Sequence, residues 1–308
     1  MALAERRMLV IAHTGRAESI EAAATVCRQL LAADIAPAMP DDELEFLIER
    51  DSTLHRVQAL HSGDPVDDFE LAIVLGGDGT ILRTAELLRG SSTPLLGINL
   101  GHVGFLAEIE REGINDCVQR ALDRDYVVEE RMTLDVQVMV DAEVVYESWA
   151  LNEATVEKAS RERMLEVVIE VDERPLSSFG CDGVVMSTPT GSTAYSFSAG
   201  GPIVWPGVDA MLLVPLSAHA LFARPIVVGP DSQLAVEVHE RTQGLGVLWC
   251  DGRRTRDLPP GARVVVHRSP IPVRLARLEP APFTDRLVRK FALPVTGWRG
   301  PADDGGAA

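Results

Sequence analysis

No apolar run in this 308-residue chain approaches the roughly 20 residues that a membrane span requires; the longest are of the length of Leu71–Leu75 and Met211–Leu216. A soluble protein without a membrane partner is expected. Cysteine is scarce: Cys27, Cys117, Cys181 and Cys250 lie far apart, none forms a C-x-x-C pair, and no positive-then-apolar leader precedes them. That pattern excludes a disulfide scaffold and fits a reducing cytoplasm. Basic charge is also in short supply, with 29 Lys and Arg against 46 Asp and Glu and a net charge of −17. Such a field repels nucleic acid and anionic membranes at long range, so neither is an expected partner. It repels a phosphate substrate as well. Any polyanion must be held by backbone amides, helix N-termini, a metal ion or a few placed arginines. The seven histidines show no H-x-x-x-H spacing, so a metal held directly by protein ligands is not expected. The chain also has no internal repeat and no low-complexity linker.

What is present is an ordinary globular composition, 46% hydrophobic and 24% charged, at a length where two domains are favoured over one. Residues 8–13 form an apolar run of β type. Ile20, Ala24, Cys27, Leu30 and Leu31 then recur at the spacing of a helix lying on a sheet. A second apolar strand, Leu71–Leu75, runs into Gly76-Gly77-Asp78-Gly79-Thr80, after which Ile81, Leu82, Ala85 and Leu88 mark a helical stripe. Leu95–Asn99 reads as a further buried strand. Continuous apolar strands alternating with amphipathic helices predict an α/β domain over residues 1–125, built on a parallel sheet. From Tyr126 the period changes to two: Leu134, Val136, Val138 and Val140 alternate with Asp135, Gln137, Met139 and Asp141. Similar alternation at Val167, Ile169 and Val171 and at Leu234, Val236 and Val238, with runs at 264–266 and 273–278, predicts an all-β domain over residues 126–280. The polar, Gly-rich tail at 300–308 is expected to be disordered.

Three glycines at the carboxyl end of a buried strand let a backbone approach phosphates closely, and the helix that follows directs free amides at an anion. The loop has neither the G-x-G-x-x-G spacing nor the lysine of a P-loop. An aspartate beside phosphate is costly, so Asp78 points to a task, proton acceptance or metal binding, unless it is a helix cap. The run from Asp182 to Pro202, D-G-V-V-M-S-T-P-T-G-S-T-A-Y-S-F-S-A-G-G-P, is dense in small hydroxyl residues and glycine. Such a surface suits a ligand with many hydroxyls and amides, or else is a long polar turn. Asn152-Glu153 at the end of an apolar stretch offers an adenine reader and a ribose-accepting carboxylate, or equally a satisfied turn pair. The run from Asn99 to Leu106, N-L-G-H-V-G-F-L, offers Phe105 as an aromatic wall or forms a tight connection.

G-G-D-G-T, N-L-G-x-x-G-F-L, N-E and D-G-x-x-x-S-T-P-T-G-S-T-A-Y-x-x-S-A-G-G-P occur here in the order seen in bacterial NAD kinases, and over residues 71–252 the chain resembles that family. The segment from Ala281 to Phe291 resembles its actinobacterial branch. The resemblance implies an N-terminal α/β domain of Rossmann or phosphofructokinase-like type, rejoined by the C-terminal segment 281–308, and a C-terminal β-sandwich. It implies transfer of a phosphoryl group from ATP, with magnesium or another divalent cation, to the adenosine 2'-hydroxyl of NAD. Asp78 would be the catalytic carboxylate, and Gly76, Gly77, Gly79 and Thr80 would form the donor phosphate loop. NAD would be bound by Asp78, Gly79, Phe105, Asn152, Glu153, Thr193, Ala194, Tyr195 and Ser198, with Asp182 reaching the nicotinamide end, often of NAD on a neighbouring subunit. A homo-oligomer, dimer or tetramer, follows from the same resemblance. Some relatives carry an arginine where this chain has Gly180; its absence leaves room for inorganic polyphosphate as a second donor. A lipid kinase of the diacylglycerol type shares G-G-D-G-T but needs an apolar or basic membrane-facing element that the chain lacks. A non-catalytic dinucleotide-binding regulator would have no use for Asp78.

Overall fold

In the first part of the chain the strand Ala36–Pro40 ends at its proline and the strand Leu71–Leu75 runs into Gly76, and each hands over to a helix with buried apolar residues. The computed structural model describes residues 6–13, 15–100, 104–107, 109–110, 113–160, 163–242, 244–278 and 282–295. The chain divides into two compact units, one made of the residues up to Glu129 and from Arg274 onward, the other of Glu130–Val273. Gly101, His102 and Val103 of the predicted loop, and the tail at 300–308, lie outside the described residues.

In the first unit the order is β1 (Arg7–Ala12), α1 (Ala17–Ala32), β2 (Ala36–Pro40), α2 (Asp41–Arg50), β3 (Gln58–Leu60), β4 (Leu71–Leu75), α3 (Asp78–Leu87), β5 (Leu95–Asn99), β6 (Ile109–Glu110), α4 (Ile114–Leu122) and β7 (Val127–Arg131). The acidic first turn of α2, Asp41, Asp42 and Glu43, suits the positive end of a helix. The sheet runs β3-β2-β1-β4-β5-β20-β7, where β20 is Val273–Arg277, and β6 pairs with β5. The pairings of β1 with β2 and β4, of β2 with β3 and of β5 with β4, β6 and β20 are all parallel. Met8, Val10, Leu71, Ile73 and Leu96 meet Ala23, Val26, Cys27 and Leu30 of α1 in a continuous core. Strand order reverses between β1 and β4, which is where an open α/β sheet forms a ligand crevice at the carboxyl ends of its strands. The last helix of the chain, Phe283–Phe291, belongs to this unit.

The second unit holds β8 (Leu134–Val140), β9 (Glu143–Ala150), β10 (Glu153–Lys158), β11 (Leu165–Val171), β12 (Arg174–Cys181), β13 (Gly183–Ser187), the short α5 (Tyr195–Ser198), β14 (Met211–Leu216), β15 (Ile226–Val228), β16 (Leu234–Val238), β17 (Gly246–Cys250), β18 (Arg254–Leu258) and β19 (Arg263–Arg268). They form two six-stranded antiparallel sheets, β15-β14-β13-β10-β17-β18 and β12-β11-β16-β19-β8-β9. One core joins them, with Leu134, Val136, Val138 and Val167 from one sheet and Val156, Val184, Met186 and Leu248 from the other. The period-two positions of β8 are thus the inward ones, as the alternation predicts. Among the described residues the last helix, Phe283–Phe291, is α6.

The run at 273–278, which by pattern continues the β series, departs from that series: β20 pairs with β5, Leu275 opposite Leu95, in the parallel sheet. The units therefore cross between Glu129 and Glu130 and between Val273 and Arg274, and not at 126 and 280. A short apolar strand carries no mark of which sheet will accept its backbone hydrogen bonds. The four cysteines are buried, and none forms a disulfide. No helix among the described residues is long and apolar enough to cross a membrane.

Candidate active site

Buried β4 delivers the chain straight into Gly76-Gly77-Asp78-Gly79-Thr80 at the point of strand reversal. Each glycine has its own reason. A Cβ on Gly76 would collide with the side chain of Thr80, which is turned inward and buried. Around Gly77 and Gly79 a Cβ would meet nothing within 4 Å, so the backbone there faces open space that a phosphate can approach.

Asp78 is the first residue of α3, and Gly77, not Asp78, occupies the cap position. The helix-cap alternative for Asp78 is therefore not realised. Its carboxylate turns toward the 104–107 loop instead, where Oδ2 accepts the Phe105 amide at 3.2 Å and Oδ1 accepts the Leu106 amide at 3.2 Å. A Cβ on Gly104 would run into that carboxylate, which explains the glycine in G-F-L. The two glycine motifs, 27 residues apart, thus close on one side chain. The Phe105 ring is buried against Phe283 and Phe291 of α6, at centroid distances of 6.1 and 5.7 Å. What Phe105 presents to Asp78 is its amide.

Sequence inspection missed a neighbouring ion pair. Arg83 of α3 donates to the Ala12 carbonyl at 3.0 Å and pairs with Glu43 of α2, whose Oε2 accepts the Ala12 amide at 2.6 Å. Burial raises the Glu43 carboxyl above its usual range, while the Ala12 amide and Arg83 oppose the shift. The pair ties the carboxyl end of β1 to α3. A charged residue in a helix stripe gives no sequence sign of a partner 40 residues away.

In the second unit, Asn152 and Glu153 sit where β9 turns into β10. Asp251 fixes that turn: its carboxylate accepts the amides of Leu151 at 2.9 Å, Asn152 at 2.7 Å and Glu153 at 3.3 Å, and it meets Arg254 at 3.1 Å. Arg254 in turn donates to the Trp149 carbonyl at 2.7 Å and lies over the Trp149 ring. Glu153 is buried, and its Oε2 finds no hydrogen-bond partner among the described residues. Burial first, and the charge of Asp251 second, push the Glu153 carboxyl up to about 8, while the Tyr195 amide pulls the other way. Burial raises Asp251 too, against the pull of its amides and Arg254. Three amides and a guanidinium oppose the shift at Asp251 and a single amide opposes it at Glu153, so burial weighs more heavily on Glu153.

The hydroxyl-rich segment packs on the same turn. Thr188 donates its hydroxyl to the Leu151 carbonyl at 2.6 Å and accepts the Gly191 amide at 3.1 Å, and a Cβ on Gly191 would collide with the backbone of Asn152. Ser192 and Ser196 point inward and are buried, while Tyr195 and Ser198 are exposed and Thr193 and Ala194 are half-buried. Asp182 stands at the other end of β13, about 17 Å away along five residues of strand. It is bonded there to Lys158 at 2.5 Å, and that contact first and Ser217 second hold its carboxyl below the usual range. Burial, followed by the charges of Glu157, Glu153 and Asp182, raises the Tyr195 phenol. Gly180 lines a separate cavity of about 810 Å³ with Arg163, Met164, Ser178 and Arg241, where Arg241 pairs with Glu166 at 2.5 Å.

Residues 8–126 match the ATP-NAD kinase N-terminal domain family and residues 151–278 the ATP-NAD kinase C-terminal domain family. The chain is 70% identical over 298 residues to the NAD kinase of Leifsonia xyli subsp. xyli, covering 97% of this chain and 98% of that protein. It is 57% identical to NAD kinase 2 of Streptomyces coelicolor, covering 96% and 97%. In fold it is similar to yeast NADH kinase in complex with NADH, with a TM-score of 0.85 at 21% identity over 96% of this chain and 90% of that one. A NAD kinase from Archaeoglobus fulgidus in complex with ATP superposes with a TM-score of 0.65 at 24% identity, covering 94% and 100%.

Proposed function

The chain belongs to the NAD kinase family, and from that premise we propose that Asp78 is the base of its phosphoryl transfer to NAD. As the donor's terminal phosphoryl group reaches the adenosine 2'-oxygen, a new O–P bond forms and the bond from that phosphorus to the leaving phosphate breaks. The hydroxyl proton passes to Asp78. The observation that carries this assignment is the grip on the Asp78 carboxylate by the Phe105 and Leu106 amides, beside two glycines that face open space. A pre-oriented carboxylate there needs no reorganisation as the reaction proceeds.

Gly76, Gly77, Gly79 and Thr80 shape the donor loop, in which Thr80 braces Gly76 and the other two glycines admit phosphate. Among the described residues no group of three or more His, Cys, Asp and Glu side chains is arranged to hold a metal ion. The open backbone at Gly77 and Gly79 leaves room for donor phosphates that would carry magnesium or another divalent cation, which would neutralise their charge. Asn152 and Glu153 hold the adenosine; the buried Oε2 of Glu153, which has no partner among the described residues, supports this, since a ligand hydroxyl would satisfy it. Thr193, Ala194, Tyr195 and Ser198 line the dinucleotide, which their outward or half-buried setting allows. Asp182, remote along β13 from Glu153, serves the nicotinamide end of NAD on a neighbouring subunit, and the active form is a dimer or tetramer. ATP and inorganic polyphosphate both act as donors, a reading supported by the room around Gly180. The setting is the cytoplasm. The family match removes the lipid-kinase alternative.

Asp78→Asn keeps the shape of the side chain and loses the basic oxygen. Turnover is expected to fall by about 10²–10⁴-fold while NAD binding stays within a few-fold. A folded variant that binds NAD and keeps more than roughly a tenth of wild-type turnover would sink the assignment.

A further inference from the structure

The C-terminal helix α6 carries Phe283, Leu287 and Phe291 four residues apart, on one face. Phe283 and Phe291 meet the Phe105 ring, and Leu287 is buried. This places Arg286 so that its Nη1 donates to the Phe105 carbonyl at 3.0 Å. One residue on, Nη1 of Arg277 in β20 donates to the Leu106 carbonyl at 3.0 Å, and Arg277 is held by Glu129 at 2.9 Å. The Phe105 carbonyl and the Leu106 amide belong to the same peptide group. That group therefore accepts from Arg286 on one side and donates to Asp78 Oδ1, at 3.2 Å, on the other.

We infer that Arg286 is a positioning residue for phosphoryl transfer, acting through the peptide between Phe105 and Leu106 on the carboxylate of Asp78. The inference rests on the assignment of Asp78 as the base. Hydrogen bonds in series polarise one another, so a guanidinium on the carbonyl makes the opposite N–H a stronger donor. The same bond fixes the plane of the peptide, and with it the direction in which the Asp78 carboxylate faces. A loop whose ring is clamped but whose peptide can rotate would hold Asp78 in several orientations, and misplacement by about 1 Å is enough to cost on the order of 100-fold in rate. The arginine sits more than 200 residues after the aspartate in sequence. It acts on the reaction without touching substrate.

The test compares Arg286→Met, Arg286→Lys, Asp78→Asn and the Asp78→Asn/Arg286→Met double variant, each checked for a cooperative thermal transition, with ATP, magnesium and NAD. Arg286→Met is expected to lower kcat about 10- to 100-fold with KM for NAD within about threefold, a split that a general loss of structure would not produce. Arg286→Lys, whose single Nζ can still reach one carbonyl, is expected to regain most of that loss. In the Asp78→Asn background Arg286→Met is expected to have almost no further effect, because the group it positions is gone. If Arg286→Met does not fold, Arg286→Gln takes its place with the same expectations. An Arg286→Met enzyme with kcat within about twofold of wild type, or one that lowers kcat equally with and without Asp78, overturns the inference, as does an Arg286→Lys enzyme no better than Arg286→Met. An Asp78→Asn enzyme with near wild-type turnover overturns instead the assignment of Asp78 itself.

Discussion

The two units anchor their key carboxylates in opposite ways. In the first, Asp78 is half-buried and takes two backbone amides directly, so the proposed base is itself the anchored group. In the second, the amides go to Asp251, and Glu153 beside it is left buried, with its carboxyl pushed up to about 8 and one oxygen unpartnered among the described residues. The carboxylate proposed as the base is held by an amide on each oxygen. The one proposed to hold a ligand lies in a dry site, while a second carboxylate organises the turn. Backbone amides oppose the desolvation that raises a buried carboxyl, and Asp251 has more of that opposition than Glu153.

The largest expected effect that tests this contrast is the loss of about 10²–10⁴-fold in turnover for Asp78→Asn, with about 1 kcal/mol of stability lost because the amide nitrogen cannot accept one of the two backbone N–H groups. Asp251→Ala should do the reverse. It would strand three buried amides and Arg254, and about 3–5 kcal/mol of stability is expected to go, read by urea unfolding. A loss below about 1 kcal/mol would show that Asp251 does not organise the turn.

Glu153→Gln sharpens the comparison through pH. In the folded chain Glu153 titrates near 8, above the 4.5 of an ordinary glutamate. Between those values the folded state binds a proton that the unfolded state has released, so its contribution to stability falls as pH rises through the window. The slope approaches about 1.4 kcal/mol per pH unit where the difference in bound protons is complete. Relative to wild type, the glutamine variant should therefore gain stability from pH 4.5 to 8, a trend read by thermal unfolding at several pH values. A stability difference that stays constant across that range would mean that Glu153 is ionised in the fold.

The smallest effect concerns the donor. A Cβ on Gly180 meets only the terminal methyl of Met164 closely, so Gly180→Arg is accommodated by a flexible side chain. The added guanidinium is expected to shift the kcat/KM ratio of ATP over polyphosphate by about tenfold toward ATP, the size of one charge-assisted hydrogen bond. Wild-type protein that forms no NADP from saturating polyphosphate would remove the premise of this comparison.

Much of this was legible in order of residues alone. The apolar run of β4, the glycines after it and the stripe of α3 announce a strand-loop-helix unit, and the alternation in β8 announces a sheet with one buried face, because both periods follow from backbone geometry. Asp78 stood out because a carboxylate in a phosphate loop is costly unless it has a task. Asn152-Glu153 did not stand out alone, since nothing in two residues tells that Asp251, about a hundred positions later, will take their amides. The partners of Phe105 were hidden for the same reason.

Local chemistry along the chain therefore determined the element types, the glycine loop and the identity of the carboxylates. Which sheet β20 joins, how far each buried carboxyl is raised and which arginine holds the peptide behind Asp78 were decided only by the tertiary structure. Periodicity and turn chemistry act over a few residues, whereas desolvation and hydrogen-bond partners depend on groups that only folding brings within 3 Å.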